Sequence, residues 1–188
     1  MGAKAHIFYS DLHVGGTFDF KSFERFRRTA LRIVRGWPSL REIRIYILGD
    51  IVDSQLLYSS QVTFLRGLWQ VDAAAQIVYD FVKSLSEGER RVEAVSLLPG
   101  NHDRRLAQLT DNIELLRMRL ERFIRGRWRQ GEPPKVEQLE EGEVIEVAGR
   151  KVALYHMLVP RSTGSYSGGI TPRILSAGLE MLVERGCD

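Results

Sequence analysis

Apolar residues gather in five short runs, each closed by polar punctuation. Residues 5–9 (AHIFY), 43–48 (IRIYIL), 92–98 (VEAVSLL), 144–147 (VIEV) and 151–155 (KVALY) have the length and the β-branched or aromatic content of strands. The last two flank Ala148-Gly149-Arg150, a turn signal that predicts a hairpin. Between the runs the apolar period changes from two to that of a helix. Residues 21–34 place Phe23, Phe26, Ala30 and Ile33 on one side. Residues 62–85 repeat Leu65, Leu68, Asp72, Ala75, Val78, Val82 and Leu85 with one polar interruption. Residues 106–124 keep Ile113, Leu116, Leu120, Phe123 and Ile124 together. A fourth helix is predicted from a Thr171 N-cap and Pro172 at its first position to about residue 185.

Strands alternating with helices predict an α/β domain, and the late hairpin predicts a mixed sheet arrangement. At 188 residues the chain is expected to form one domain, 1–188. Residues 131–134 read as a turn and the Ser/Gly-rich residues 161–169 as a surface loop. The 44% hydrophobic and 27% charged content excludes a mainly disordered chain. There is no signal-peptide pattern and no apolar run long enough to span a bilayer, so no membrane is expected. A single cysteine, Cys187, fits a reducing cytoplasm.

Charge is segregated along the chain. Residues 104–129 hold eight arginines against Asp111, Glu114 and Glu121, whereas residues 132–146 hold six glutamates against one lysine. The net +3 is therefore not that of a uniformly basic nucleic-acid binder. Arg117, Arg122 and Arg125 fall opposite the apolar side of their helix and read as a solvated face. Arg127-Trp128-Arg129 is a cation–aromatic–cation pattern that suits a phosphate and a base.

The chemistry lies where strands end. Ser10-Asp11-Leu12-His13 follows the first run, and Gly49-Asp50-Ile51-Val52-Asp53 follows the second. Pro99-Gly100-Asn101-His102-Asp103 follows the third, and Tyr155-His156 ends the fifth. The carboxyl ends of strands are the ligand edge of an open α/β sheet. Carboxylate oxygens, imidazole nitrogens and an amide oxygen there suit divalent cations. Asp103 is expected to cap the next helix, and His6 to be a satisfied sheet histidine.

Asp11-x-His13, Gly49-Asp50-x-x-Asp53, Gly100-Asn101-His102-Asp103 and His156, in that order, resemble the calcineurin-like metallophosphoesterase superfamily. The resemblance runs from the first strand to the last helix. It implies two stacked mixed sheets flanked by helices and a pair of divalent ions, manganese first, with Fe, Zn, Ni or Mg as alternatives. Asp11 and His13 would hold one ion, Asp50 would bridge both, and Asn101 and His156 would hold the other. A metal-bridging hydroxide would attack a phosphomonoester or phosphodiester. His102 would be the general acid, oriented by Asp53.

The family's closing G-H-x-H is absent, since no histidine lies beyond His156. The expectation is a chain truncated before its final strands, the alternative a natural variant with a weakened metal site. A nuclease related to DNA-repair phosphoesterases, acting on nucleotides or nucleic acid, and a non-catalytic scaffold subunit stand as the other functional readings.

Overall fold

A computed structural model describes residues 3–16, 19–54 and 67–156. The predicted helix after Thr171, the loop at 161–169 and Leu65 lie outside the described residues. Contacts divide the chain into two compact units, Met1–Leu139 and Glu140–Asp188.

In the first unit the three early apolar runs become β1 (Ala3–Tyr9), β2 (Leu40–Leu48) and β3 (Arg91–Leu98). A fourth strand, β4 (Lys135–Gln138), completes a wholly parallel sheet in the order β1-β2-β3-β4. Helices α1 (Phe20–Arg35), α2 (Leu68–Leu85), α3 (Asn101–Thr110) and α4 (Leu115–Arg127) connect the strands. Parallel strands in sequential order, joined by right-handed crossovers, place successive connections on one face. That face is the core: Ile43, Ile45, Ile47, Val92, Val95 and Leu97 pack with Phe23, Val34, Val78, Val82, Leu120 and Ile124. The opposite face is polar, with Lys4, His6 and Arg44 on it. Tyr46 lies there between Phe8 and His6, at ring distances of 4.8 and 5.8 Å. The His6 imidazole is pushed down by burial first, then by the Lys4 and Arg44 cations.

The second unit contributes β5 (Glu143–Val147) and β6 (Arg150–Leu154), an antiparallel hairpin. Its two-residue turn has Ala148 and Gly149 at φ +53° and +80°, the left-handed pair a tight hairpin requires. The expected mixed sheets are therefore corrected. One sheet is parallel and the other antiparallel, because the described hairpin strands pair with each other.

Three further differences have local causes. The single helix expected over 106–124 is two, broken where Asp111 turns left-handed at φ +51° and the Asn112 carboxamide accepts the Glu114 N–H. These side chains supply hydrogen bonds that compete with helix continuation. Strand β4 lies in the acidic stretch and is short and polar, so only its neighbour β3 reveals it. The expected stripes are buried at Phe23 and Ala30 of α1 and at Ala75, Val78, Val82 and Leu85 of α2, but Ile33 and Leu68 are exposed, and Leu31, Val34, Gln70 and Val71 widen the buried sides. Among the described residues no helix is long and apolar enough to cross a membrane.

Across the polar face, Glu93 receives a forked pair of hydrogen bonds from Arg44 at 3.1 and 2.9 Å and an ammonium bond from Lys4 at 2.5 Å. One carboxylate thus joins β1, β2 and β3. Arg44 first, then Lys4, hold the Glu93 carboxyl at about 2, below its ordinary 4.5. A depressed carboxyl stabilises the fold above the unfolded value, and that contribution fades as pH falls from about 4.5 toward about 2. Glu93→Gln should cost up to about 1 kcal/mol at neutral pH, given partial solvent screening. The stability gap from wild type should close on acidification, as urea denaturation between these pH limits would show.

Candidate metal centre

Three loops leave the carboxyl edge of the parallel sheet, after β1, β2 and β3. The first two are stitched together beyond the strands. Asp11 N–H donates to the Gly49 carbonyl (3.1 Å), His13 N–H to Asp50 (2.8 Å) and Val14 N–H to Ile51 (3.0 Å). The Asp53 N–H returns to Val14 at 3.0 Å. To present their side chains here, Asp11, His13, Asp50 and Ser54 adopt left-handed φ values of +57°, +49°, +51° and +57°. Such conformations cost roughly 1–3 kcal/mol each and collect where side-chain placement matters more than stability.

The result is a tight set of carboxylates around two perpendicular imidazoles, His13 and His102, whose ring centroids are 4.7 Å apart. His13 Nε2 lies 3.6 Å from Asp11 Oδ1 and 3.9 Å from Asp50 Oδ2. His13 Nδ1 lies 3.2 Å from Asp53 Oδ1. An ionised carboxylate only accepts, so this contact puts the His13 proton on Nδ1 and leaves the Nε2 lone pair facing Asp11 and Asp50. That is the carboxylate–histidine arrangement that supports metal ligation. His102 Nε2 is 4.0 Å from Asp50 Oδ2, and its Nδ1 is 2.5 Å from the Asp53 carbonyl oxygen. A carbonyl also only accepts, so His102 carries its first proton on Nδ1 and turns Nε2 toward Asp50.

Asp53 meets both rings, His102 through its main-chain carbonyl and His13 through its carboxylate. Its carboxylate is nearer His13 than His102, at 3.2 against 3.7 Å. The main-chain carbonyl of Asp53 is what orients His102. Of the other expected residues, Asp11, His13, Asp50, Asn101 and His102 all belong to this edge of the first unit. His156 follows β6 in the second unit, where its backbone N–H donates to the Glu141 carboxylate at 3.3 Å.

The chemistry of the set fits a cation. Asp50, Asp53 and His102 are only 5, 2 and 7% exposed, so negative charge is concentrated out of water. Burial of carboxylates is costly without positive charge beside them. Asn101 Oδ1 is buried and accepts no hydrogen bond among the described residues, a hard oxygen without a proton donor. Two groupings, Asp11–His13–Asp50 and His13–Asp53–His102, bring donor atoms close enough to hold a metal ion. Comparison with protein-family models, curated proteins and solved structures finds no match to this chain.

Glycines make the crowding possible. A Cβ on Gly100 would stand 2.2 Å from Asp50 Oδ1, and one on Gly16 would stand 1.7 Å from Asp53 Oδ2. Asp103 caps α3 as expected by accepting the Gly100 N–H at 2.9 Å, but it also accepts the Ile51 and Val52 N–H groups at 3.0 Å.

Sequence reasoning missed Gln70. It is fully buried, and its Oε1 accepts the Ser54 N–H at 2.8 Å. Its side chain also fills the space where a Gly15 Cβ would fall, 2.4 Å from Gln70 Cγ. Gln70 thus braces the loops after β1 and β2 together. The available signal was a polar residue four positions before Ala74, on the stripe that continues to Val78 and Val82. Gln70→Leu, which removes the Oε1 acceptor of the Ser54 N–H, should cost about 1–3 kcal/mol in urea denaturation and weaken Mn²⁺ binding in calorimetry. Gln70→Glu keeps an acceptor and should lose less of both.

Proposed function

We propose that this protein is a metal-dependent phosphoesterase that hydrolyses phosphomonoesters or phosphodiesters with two divalent ions, manganese foremost. The observation that carries the reading is the meeting of Asp11, His13, Asp50, Asp53 and His102 at one sheet edge, beside the unpartnered Asn101 oxygen. Asp11 and His13 would hold one ion, Asp50 would serve both, and Asn101 would serve the second. Bound divalent ions supply Lewis acidity that activates water and offsets charge on the phosphoryl oxygens.

The chain's own residues divide the remaining work. Asp53 fixes the His13 ring by its carboxylate and the His102 ring by its carbonyl. With Nδ1 committed to that carbonyl, His102 Nε2 is the atom that delivers a proton to the leaving-group oxygen, once the ring is doubly protonated. The metallophosphoesterase motif order supports the same assignment of roles.

The direct test is Mn²⁺-dependent turnover of p-nitrophenyl phosphate and bis-p-nitrophenyl phosphate. Asp50→Asn should lower both metal occupancy and turnover more than any other ligand substitution. Calorimetry showing two Mn²⁺ ions bound normally by that variant would remove the bridging role. His102→Asn should spare metal binding yet slow esters with poor leaving groups by about 10²–10⁴-fold. Activated aryl esters need less protonation and should lose less; equal losses on both would take His102 out of the acid role.

A further inference from the structure

Helix α1 carries six cations, Lys21, Arg25, Arg27, Arg28, Arg32 and Arg35, and one acid, Glu24. Four of them, at positions 21, 25, 28 and 32, fall within an arc of about 60° at 100° per residue and span about 16 Å of helix. All four are exposed, on the side away from buried Phe23, Ala30 and Val34. Of the four, Arg28 pairs with Glu24 at 3.0 Å, which Arg27 shares at 2.7 Å, and Lys21 interacts electrostatically with the N-cap Asp19; among the described residues Arg25 and Arg32 have no acid within ion-pair distance.

Helix α4 also has five arginines, and among the described residues three in each helix have acidic partners; in α1 these are Arg27, Arg28 and Arg35, of which only Arg28 lies on the stripe. Arg117 pairs with Glu114 and Glu121, Arg125 with Glu121 and Arg119 with Asp72. Arg127 bonds Gln76 and lies 4.4 Å over the Phe123 ring. Composition alone would treat both helices alike. The α1 stripe instead sets like charges three and four residues apart and puts Lys21 in the first turn, against the helix dipole; both arrangements disfavour the helix.

Its direction matters. Because α1 follows β1, its Lys21 end is at the carboxyl edge of the sheet, the edge of the metal centre. Phe20 stands at that end with 64% of its surface exposed, and it lines a surface groove of about 410 Å³ with Lys21, Arg25, Arg28 and Arg32.

We infer that the α1 stripe binds the phosphodiester backbone of a single-stranded nucleic acid and directs it toward the metal centre. The stripe is one cation wide, which suits one backbone rather than the two of a duplex. A bilayer-binding helix would need a broad apolar face beside its cations, and α1 exposes only Phe20 at one end and Ile33 near the other, not a continuous apolar face. The assignment rests on the phosphoesterase reading for its direction, and it narrows the substrate to a polymeric diester.

Fluorescence anisotropy with a labelled oligo-dT of about twenty nucleotides, in EDTA, measures the binding without turnover. Four phosphate contacts predict a slope of log K against log salt of about −2 to −3. Arg25→Gln/Arg28→Gln/Arg32→Gln should bind at least about tenfold more weakly and flatten the slope toward −0.7, the value for one remaining contact. The matching lysine triple should restore most of the affinity. An equal charge change on α4, Arg117→Gln/Arg122→Gln/Arg125→Gln, should stay within about twofold of wild type. Equal losses from both glutamine triples, or none from the α1 triple, would overturn the inference. So would tighter binding to duplex DNA, or to vesicles of anionic lipid, than to oligo-dT. Wild-type turnover of bis-p-nitrophenyl phosphate reports on the phosphoesterase reading separately, because the anisotropy needs neither metal nor hydrolysis.

Discussion

One carboxylate fixes the geometry on which the site depends. Asp103 gathers the N–H groups of Ile51, Val52 and Gly100, the first two just after Asp50 and the third just before Asn101. Burial pushes the Asp103 carboxyl up, and the three N–H donors pull the other way. The loop after β2 and the start of α3 are thus clamped to one point. Asp50 closes the clamp from the other side, its Oδ1 accepting the His102 N–H at 3.0 Å. Neither loop can shift by itself, and Gly100 is the residue that lets them touch.

That rigidity is what sustains left-handed backbone at Asp11, His13 and Asp50. Each would relax in a free loop. Here the backbone bonds between the first two loops and the bracing of Gln70 hold the strained residues in place. The side chains so presented repel one another as carboxylates, and their burial makes a cation the natural complement. Strain, clamp and charge therefore act as one arrangement: the fold holds the donors together, and positive charge at their centre would lower the cost of doing so.

The parallel sheet explains why chemistry and charge are distributed as they are. Sequential order sends the connections to one face and the loop ends of β1, β2 and β3 to one edge. The opposite face is left to polar and aromatic residues, tied across three strands by Glu93. Among the helices, α4 pairs Arg117, Arg119 and Arg125 with acids, whereas on the exposed stripe of α1 only Arg28 has an ion-pair partner among the described residues. That stripe is on the helix that starts beside the candidate site.

Much of this was legible in the residues alone. Strong apolar runs located β1, β2, β3 and the hairpin, because burying a strand demands an apolar pattern whatever surrounds it. Asp11, His13, Asp50, Asn101 and His102 stood out because each follows such a run in a turn-forming context. Other features needed the third dimension. The polar segment of β4 is a strand only because β3 offers it an edge. That Asp53 reaches His102 by its main-chain carbonyl and His13 by its carboxylate depends on the folding of its loop, which spacing does not encode. Gln70 and Asp103 act through main-chain groups distant in sequence, Ser54, Ile51 and Val52. Local patterns report what a segment must bury, whereas a hydrogen bond between segments exists only once packing has chosen which backbone groups meet.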